Sequence, residues 1–178
     1  MKNLCVVPCG KAKVWDKEPA RGTTAARFVY TGSFATAARL YAEQFYPRAW
    51  MILSAKHGFL APDELVPGPY EVTFNKRTRE VITPARLAEQ VVDRRLGRFD
   101  QVVVIAGRVY DDKVREAFER TKAEVVAPLT GLTGMGKMLA ALREARVVGK
   151  PLRPLRRDGC DVDGAPSFRK SERRADGT

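Results

Sequence analysis

The chain has 178 residues, 44% of them apolar, and a formal net charge of +11. That length and composition predict one globular domain large enough for a real hydrophobic core. The longest apolar runs, such as Val102 to Ala106, are far too short to cross a bilayer, so no membrane span is expected.

Three cysteines (Cys5, Cys9 and Cys160) make a poor disulfide framework, which predicts a reducing, cytoplasmic setting. Leu4 to Pro8 is too short for a signal-peptide core. Cys5-x3-Cys9 with a single distant histidine does not give four zinc ligands at a familiar spacing, so no metal is expected. No cofactor is implied either. Residues 151–178 hold seven Lys/Arg against five Asp/Glu, leaving +9 of the charge on the body. A body this basic attracts polyanions at a distance, so DNA, RNA or a free nucleotide is the expected partner class. A basic surface kept for solubility is the alternative.

Asn3 to Pro8 is a continuous apolar run rich in β-branched residues, as in a buried strand. It stops at Cys9-Gly10-Lys11-Ala12-Lys13, after which the chain through Trp15, Pro19 and Gly22 reads as polar and irregular. The first clear helix follows, with Thr31 or Ser33 as its cap and Phe34, Ala37, Ala38, Tyr41 and Phe45 on one face, until Pro47 ends it. Trp50 to Leu53 is the second strand. Residues 58–83 read as a long excursion whose Pro/Gly density forbids regular structure up to residue 69. Long loops in compact domains are often lids or binding segments.

Thr83-Pro84 opens the next helix as cap and first residue, with Leu87, Val91 and Leu96 on its apolar face. Gln101 to Gly107 is the clearest strand, and Tyr110-Asp111-Asp112 starts a helix with Val114 and Phe118 inward. Glu124 to Ala127 is a fourth strand, and Thr133 to Ala145 a last helix with Met138, Leu139 and Leu142 at core spacing. The alternation predicts a three-layer α/β sandwich around a mostly parallel sheet of about four strands, over residues 1–149. Residues 150–178 change to Pro, Arg, Asp and Gly and read as a basic, flexible tail.

In such a sheet the strand C-terminal ends share one edge, where ligands bind. Those ends here are Cys9-Gly10-Lys11, Ser54-Ala55-Lys56-His57-Gly58, Ala106-Gly107-Arg108 and Pro128-Leu129-Thr130-Gly131. Small residues beside Lys11, Lys13, Lys56 and Arg108 suit a phosphate or carboxylate held by cations and helix N–H groups. Ordinary turn glycines beside solvated lysines are the plainer account. Gly131 to Met138 nearly spells a P-loop, but Met138 stands where Ser or Thr must hold magnesium, so an ATPase is not expected.

Cys9 and His57 are candidates for nucleophile and base, with His57 as a backbone-orienting residue the alternative. Lys11 or Lys56 can serve as a catalytic amine or, more simply, as a phosphate ligand. Tyr70 and Glu71 set a stacking ring beside a carboxylate, and Tyr30 and Tyr110 lie near the same edge. Simple packing is the other role for each ring.

Cys-Gly-Lys-x-Lys at 9–13, Tyr-Thr-Gly-Ser at 30–33, the run from Ile52 to Pro62, Pro-Tyr-Glu at 69–71, Ala-Gly-x-x-Tyr at 106–110 and Pro-Leu-x-Gly-Leu at 128–132 resemble family 6884 of the domains of unknown function. The resemblance covers roughly residues 3–145. That family occurs in bacteria and phages and is distantly similar to the uracil-DNA-glycosylase-like domain of archaeosine synthases. It implies a glycosylase-like α/β sandwich and nucleobase or nucleic-acid chemistry. On that reading Glu71, His57, Lys56 or Cys9 does the chemistry, and Gly10, Lys11, Lys13, Tyr30, Thr31, Ser33, Ser54, Gly58, Tyr70, Gly107, Arg108 and Tyr110 hold base or phosphate. A non-catalytic nucleic-acid-binding or phage-conflict module is the competing expectation.

Overall fold

The structure, a computed structural model, describes residues 1–76 and 78–153. In chain order its strands are β1 (Asn3–Pro8), β2 (Thr24–Ala25), β3 (Trp50–Ser54), β4 (Gly58–Leu60), β5 (Leu65–Val66), β6 (Gln101–Val104) and β7 (Glu124–Val126). The helices are α1 (Ala26–Val29), α2 (Ser33–Phe45), α3 (Pro84–Asp93), α4 (Arg108–Phe118) and α5 (Met135–Val148).

Because β1 is apolar at nearly every position, it is stable only where both of its faces are covered. It lies in the middle of a five-stranded sheet of order β4-β3-β1-β6-β7. Its even residues Leu4 and Val6 face one way with Met51, Leu53, Val102 and Val104, against α3 and α4. Its odd residues Cys5 and Val7 face the other way with Ile52, Val103 and Val126, against α2 and α5. Each fully buried aliphatic side chain in these two layers stabilises the fold by about 1.5–3 kcal/mol. The β3–β1, β1–β6 and β6–β7 pairings are parallel, as the alternation predicts.

A fifth strand was not expected. β4 turns back antiparallel on β3, pairing Ser54 with Gly58 and Ile52 with Leu60, inside the stretch predicted to be irregular. The turn needs Gly58 in the left-handed region, φ +74°, a conformation that side chains with a Cβ rarely adopt. β5 also lies in that stretch and pairs antiparallel with β2, tying the segment after β4 to the segment after β1. The Arg27–Asp63 ion pair at 2.8 Å reinforces this tie.

Other expectations shift in detail. Neither Thr31 nor Ser33 caps α2; Gly32 is its N-cap and no side-chain cap forms. Thr83 does cap α3, its Oγ1 accepting from the Arg86 N–H at 3.2 Å, with Pro84 in the first turn. Leu96 is buried but belongs to a 3-10 turn beyond that helix. α4 begins at Arg108, two residues before Tyr110. In α5, Leu142 is fully buried while Met138 and Leu139 are half-buried. The loop after β1 is not loose either: Trp15 is buried and donates its indole N–H to the Arg21 carbonyl at 2.7 Å. At the far end Leu152 packs on the core, and its N–H reaches the Tyr41 hydroxyl at 2.8 Å. The rest of the predicted tail, residues 154–178, lies outside the described residues.

Candidate functional site

From β1 the chain crosses to β3 on one side, then returns to place β6 on the other. The loops leaving β1 and β6 therefore diverge, and the C-terminal ends of these two strands are the usual ligand position in an open α/β sheet. Cys9 and Tyr110 meet there. The Tyr110 hydroxyl donates to the Cys9 carbonyl at 3.0 Å and lies 3.2 Å from the Cys9 Sγ. The phenolic proton is committed to the carbonyl, so the thiol is the donor in the second contact. Burial pushes the Cys9 thiol up, and the Tyr110 hydroxyl, the Ala55 amide and the Lys13 charge pull it back less. A neutral thiol results.

Beside this contact, three hydroxyls from three segments meet. Tyr70 Oη lies 2.6 Å from Tyr30 Oη and 2.9 Å from Ser54 Oγ. Ser54 Oγ also accepts the backbone N–H groups of Lys56 and His57, at 3.3 and 3.2 Å. Those two amides fill the acceptor capacity of a serine, so its own proton goes to a phenol. Two phenolic protons remain. Whichever tyrosine donates to the other, one proton has no acceptor among the described residues. Burial pushes both phenols above the ordinary tyrosine value.

Lys13 is the least expected member. Its residue is only 4% exposed. Its Nζ donates to the Lys11 carbonyl at 3.1 Å and lies 4.6 Å from the centre of the Tyr70 ring. No carboxylate pairs with it among the described residues. Lys56 approaches the same ring at 5.5 Å, but it has a partner, Glu80, at 3.4 Å.

The His57 ring stands edge-on to Tyr70, with centroids 5.0 Å apart, and makes no hydrogen bond with Cys9. Burial and then the nearby Lys56 charge push His57 below its ordinary value, against a smaller opposing pull from Glu64. Its backbone is fixed from behind. Gln90 donates its amide to the His57 carbonyl at 2.9 Å and accepts the Phe59 N–H at 2.8 Å. A Cβ on Gly58 would sit 2.1 Å from Gln90 Oε1, so glycine is required there for space as well as for its φ.

Of the residues singled out from the sequence, Cys9, Lys13, Tyr30, Ser54, Tyr70 and Tyr110 converge, with Lys56 and His57 flanking them. Gly10 lies beneath α2, where an added Cβ would meet Ala35 at ordinary contact distance, and Gly107 is the N-cap of α4. Lys11, Thr31, Ser33, Glu71 and Arg108 are exposed on the rim. Sequence reasoning missed three contributors: Phe74, whose ring meets Tyr110 edge-on at 5.3 Å, Glu80 and Gln90. Gln90 had a legible signal, because it is a lone polar residue between Leu87 and Val91 on the apolar face of α3. Among the described residues no group of three or more His, Cys, Asp or Glu is placed to hold a metal ion, and no helix is long and apolar enough to cross a membrane.

Residues 4–144 match the model of a family of unknown function, DUF6884, and the chain belongs to that family. It is also 39% identical over 145 residues to the uncharacterized protein YfjM of Bacillus subtilis (strain 168), an alignment covering 82% of this chain and 95% of that protein.

Proposed function

We propose that this member of the DUF6884 family acts on nucleic acid, taking in one nucleotide at the C-terminal ends of β1 and β6 and breaking its N-glycosidic bond. The observation that carries the reading is Lys13, a buried cation that has no carboxylate partner among the described residues and lies against Tyr70 in a chain of net charge +11. A base stacked on an aromatic ring gains about 1–3 kcal/mol, and a nearby cation is what the adjoining phosphate requires. The exposed rim residues Lys11 and Arg108, with Lys56, suit the flanking strand. Flipping one base out of a stack accounts for a pocket and a basic surface in one small protein.

In the proposed reaction water attacks C1′, the C1′–N bond breaks, and the departing base takes up a proton. His57 is a candidate to receive the proton of the attacking water, since its environment favours the neutral ring. Glu71, exposed beside Tyr70, is the other acid/base candidate, and the departing base can take its proton from solvent. The three-layer architecture is compatible in kind with the uracil-glycosylase-like sandwich that the motif resemblance implies. The test is to incubate the protein with modified and unmodified DNA and RNA and to assay for free base. Release that His57→Ala or Glu71→Gln abolishes supports the enzyme; binding without release, equal in wild type and variants, refutes it.

A different observation favours a second reading, a module that binds nucleic acid without chemistry. Cys9 donates its thiol proton to Tyr110 and His57 makes no hydrogen bond with it, so no nucleophile–base pair is assembled. Binding that weakens with salt and yields no product supports this reading.

A further inference from the structure

A buried ammonium is costly unless an opposite charge and hydrogen-bond acceptors surround it. Lys13 has three N–H donors, one carbonyl acceptor and one ring face, which leaves donor capacity unused in a residue 4% exposed. Next to it, the Tyr30–Tyr70–Ser54 junction also holds one proton more than its acceptors can take. When Tyr70 donates to Tyr30, the surplus donor belongs to Tyr30, which is 6% exposed. Among the described residues these two neighbouring features, which share Tyr70, both lack a further oxygen acceptor.

Residues 67–75 are held mainly by side chains: Val72 is buried in the core, and Tyr70 and Phe74 pack against it. Among the described residues, no backbone hydrogen bond joins this segment to the body; its first anchor beyond the turn is Ile82, whose N–H reaches the Ala55 carbonyl at 2.8 Å. Among the described residues the Tyr70 hydroxyl makes the segment's side-chain hydrogen bonds to the sheet edge. Opening it breaks side-chain contacts without disrupting any strand ladder.

We infer that Lys13 and the Tyr30–Tyr70 hydroxyl pair form a subsite for a phosphate group, which enters when the 67–75 segment lifts and supplies the acceptors both features lack. The inference rests on the nucleotide reading above and deepens it. It separates the roles of the lysines: Lys13 grips the phosphate of the nucleotide taken in, while Lys11 and Arg108 meet the strand outside. A phosphate is preferred over a carboxylate because it offers enough oxygens to satisfy an ammonium and a phenol together.

The test uses the full chain with four probes: inorganic phosphate, a nucleoside 5′-monophosphate, the same nucleoside without phosphate, and a single-stranded oligonucleotide. Affinity is read by calorimetry and melting temperature by thermal unfolding. The monophosphate is expected to bind at least ten times tighter than the bare nucleoside. Lys13→Met should weaken monophosphate binding about 10- to 100-fold, while the ligand-free melting temperature stays equal or rises, because an apolar chain of similar size removes a buried charge. Tyr30→Phe, which keeps the ring, should cost several-fold. Lys122→Met, exposed just before β7 at the opposite end of the strands, is the control and should change neither. Monophosphate affinity unaltered by Lys13→Met, with a lower ligand-free melting temperature, would mean that Lys13 is structural and would overturn the inference. Equal affinity for nucleoside and monophosphate would do the same.

The arms also separate the two readings. Salt-sensitive oligonucleotide binding that ignores Lys13→Met removes the subsite and leaves the nucleic-acid reading standing. Phosphate or monophosphate binding that needs Lys13, with no oligonucleotide binding, supports the subsite and removes the polymer.

Discussion

At the edge where the strands begin, the Lys2 backbone N–H donates to Asp100 at 2.6 Å and Gln101 donates to Glu124 at 3.1 Å. A shallow concavity of about 520 Å³ there is lined by Arg115, Phe118, Thr121 and Val125 among others. At the edge where the same strands end, Lys13, Tyr30, Ser54, Tyr110 and Cys9 are all at least half-buried, and their donors outnumber their acceptors. At the first edge these polar groups pair with each other, although the buried Asn3 Oδ1 has no partner among the described residues. Those at the second are also paired, but keep donor capacity that the described residues leave unmet, which supports the proposed phosphate subsite.

The comparison breaks most easily through shared structure. Phe118→Ala, which empties a fully buried ring from the layer that serves both edges and removes its edge-on contact with Phe59 at 5.9 Å, should cost about 3–5 kcal/mol in urea unfolding. Monophosphate affinity per folded molecule should not change. Gly58→Ala comes next, at about 2–4 kcal/mol, because the methyl meets Gln90 and Ile82 and φ is +74°. Unlike Phe118→Ala it displaces the His57 backbone, so base release should fall further than stability. Equal losses in both would make Gly58 a folding residue only.

Ser54→Ala acts on the strand-end edge alone. It strands two amides and frees Tyr70, for a loss of about 1–3 kcal/mol, and proteolysis within residues 67–82 should quicken. Unchanged cleavage there would show that the hydroxyl junction does not hold that segment. The smallest effect is the titration of His57, the single histidine in the chain. Its folded value lies below the unfolded value of about 6.5. The unfolded chain therefore takes up the proton first, so this group's contribution is full above pH ~6.5, declines as pH falls below it and levels off beneath the folded value. An NMR midpoint at or above 6.5 in the folded protein would contradict the burial described for that ring.

The strand-end edge was readable because strands in a parallel sheet must be buried on both faces, and buried strands announce themselves as continuous apolar runs. Val102 to Ile105 and Leu4 to Val7 gave no other option. β4 and β5 were not readable for the converse reason. Strands of three and two residues carry too few side chains to establish a period, and Pro62, Pro67 and Pro69 around them speak only of loop. Lys13 was legible as a cation near the edge but not as a buried one. Its burial depends on Tyr70, fifty-seven positions later, folding back across it. Charge is written in the sequence; the shelter around it is written in tertiary contacts.

The hydroxyl junction also has a place in time. Tyr30 and Tyr70 are 40 residues apart, Ser54 and Tyr70 16, and the Cys9–Tyr110 contact closes across 101. The scaffold pairings reach as far, Cys5 to Trp50 and Asn3 to Gln101, so order of emergence and not distance separates the two. A ribosome-bound chain that has released β1, α2 and β3 has neither Tyr70 nor Tyr110. The Tyr30–Ser54–Tyr70 junction and the Cys9–Tyr110 contact thus close only after the first parallel strand pair has emerged.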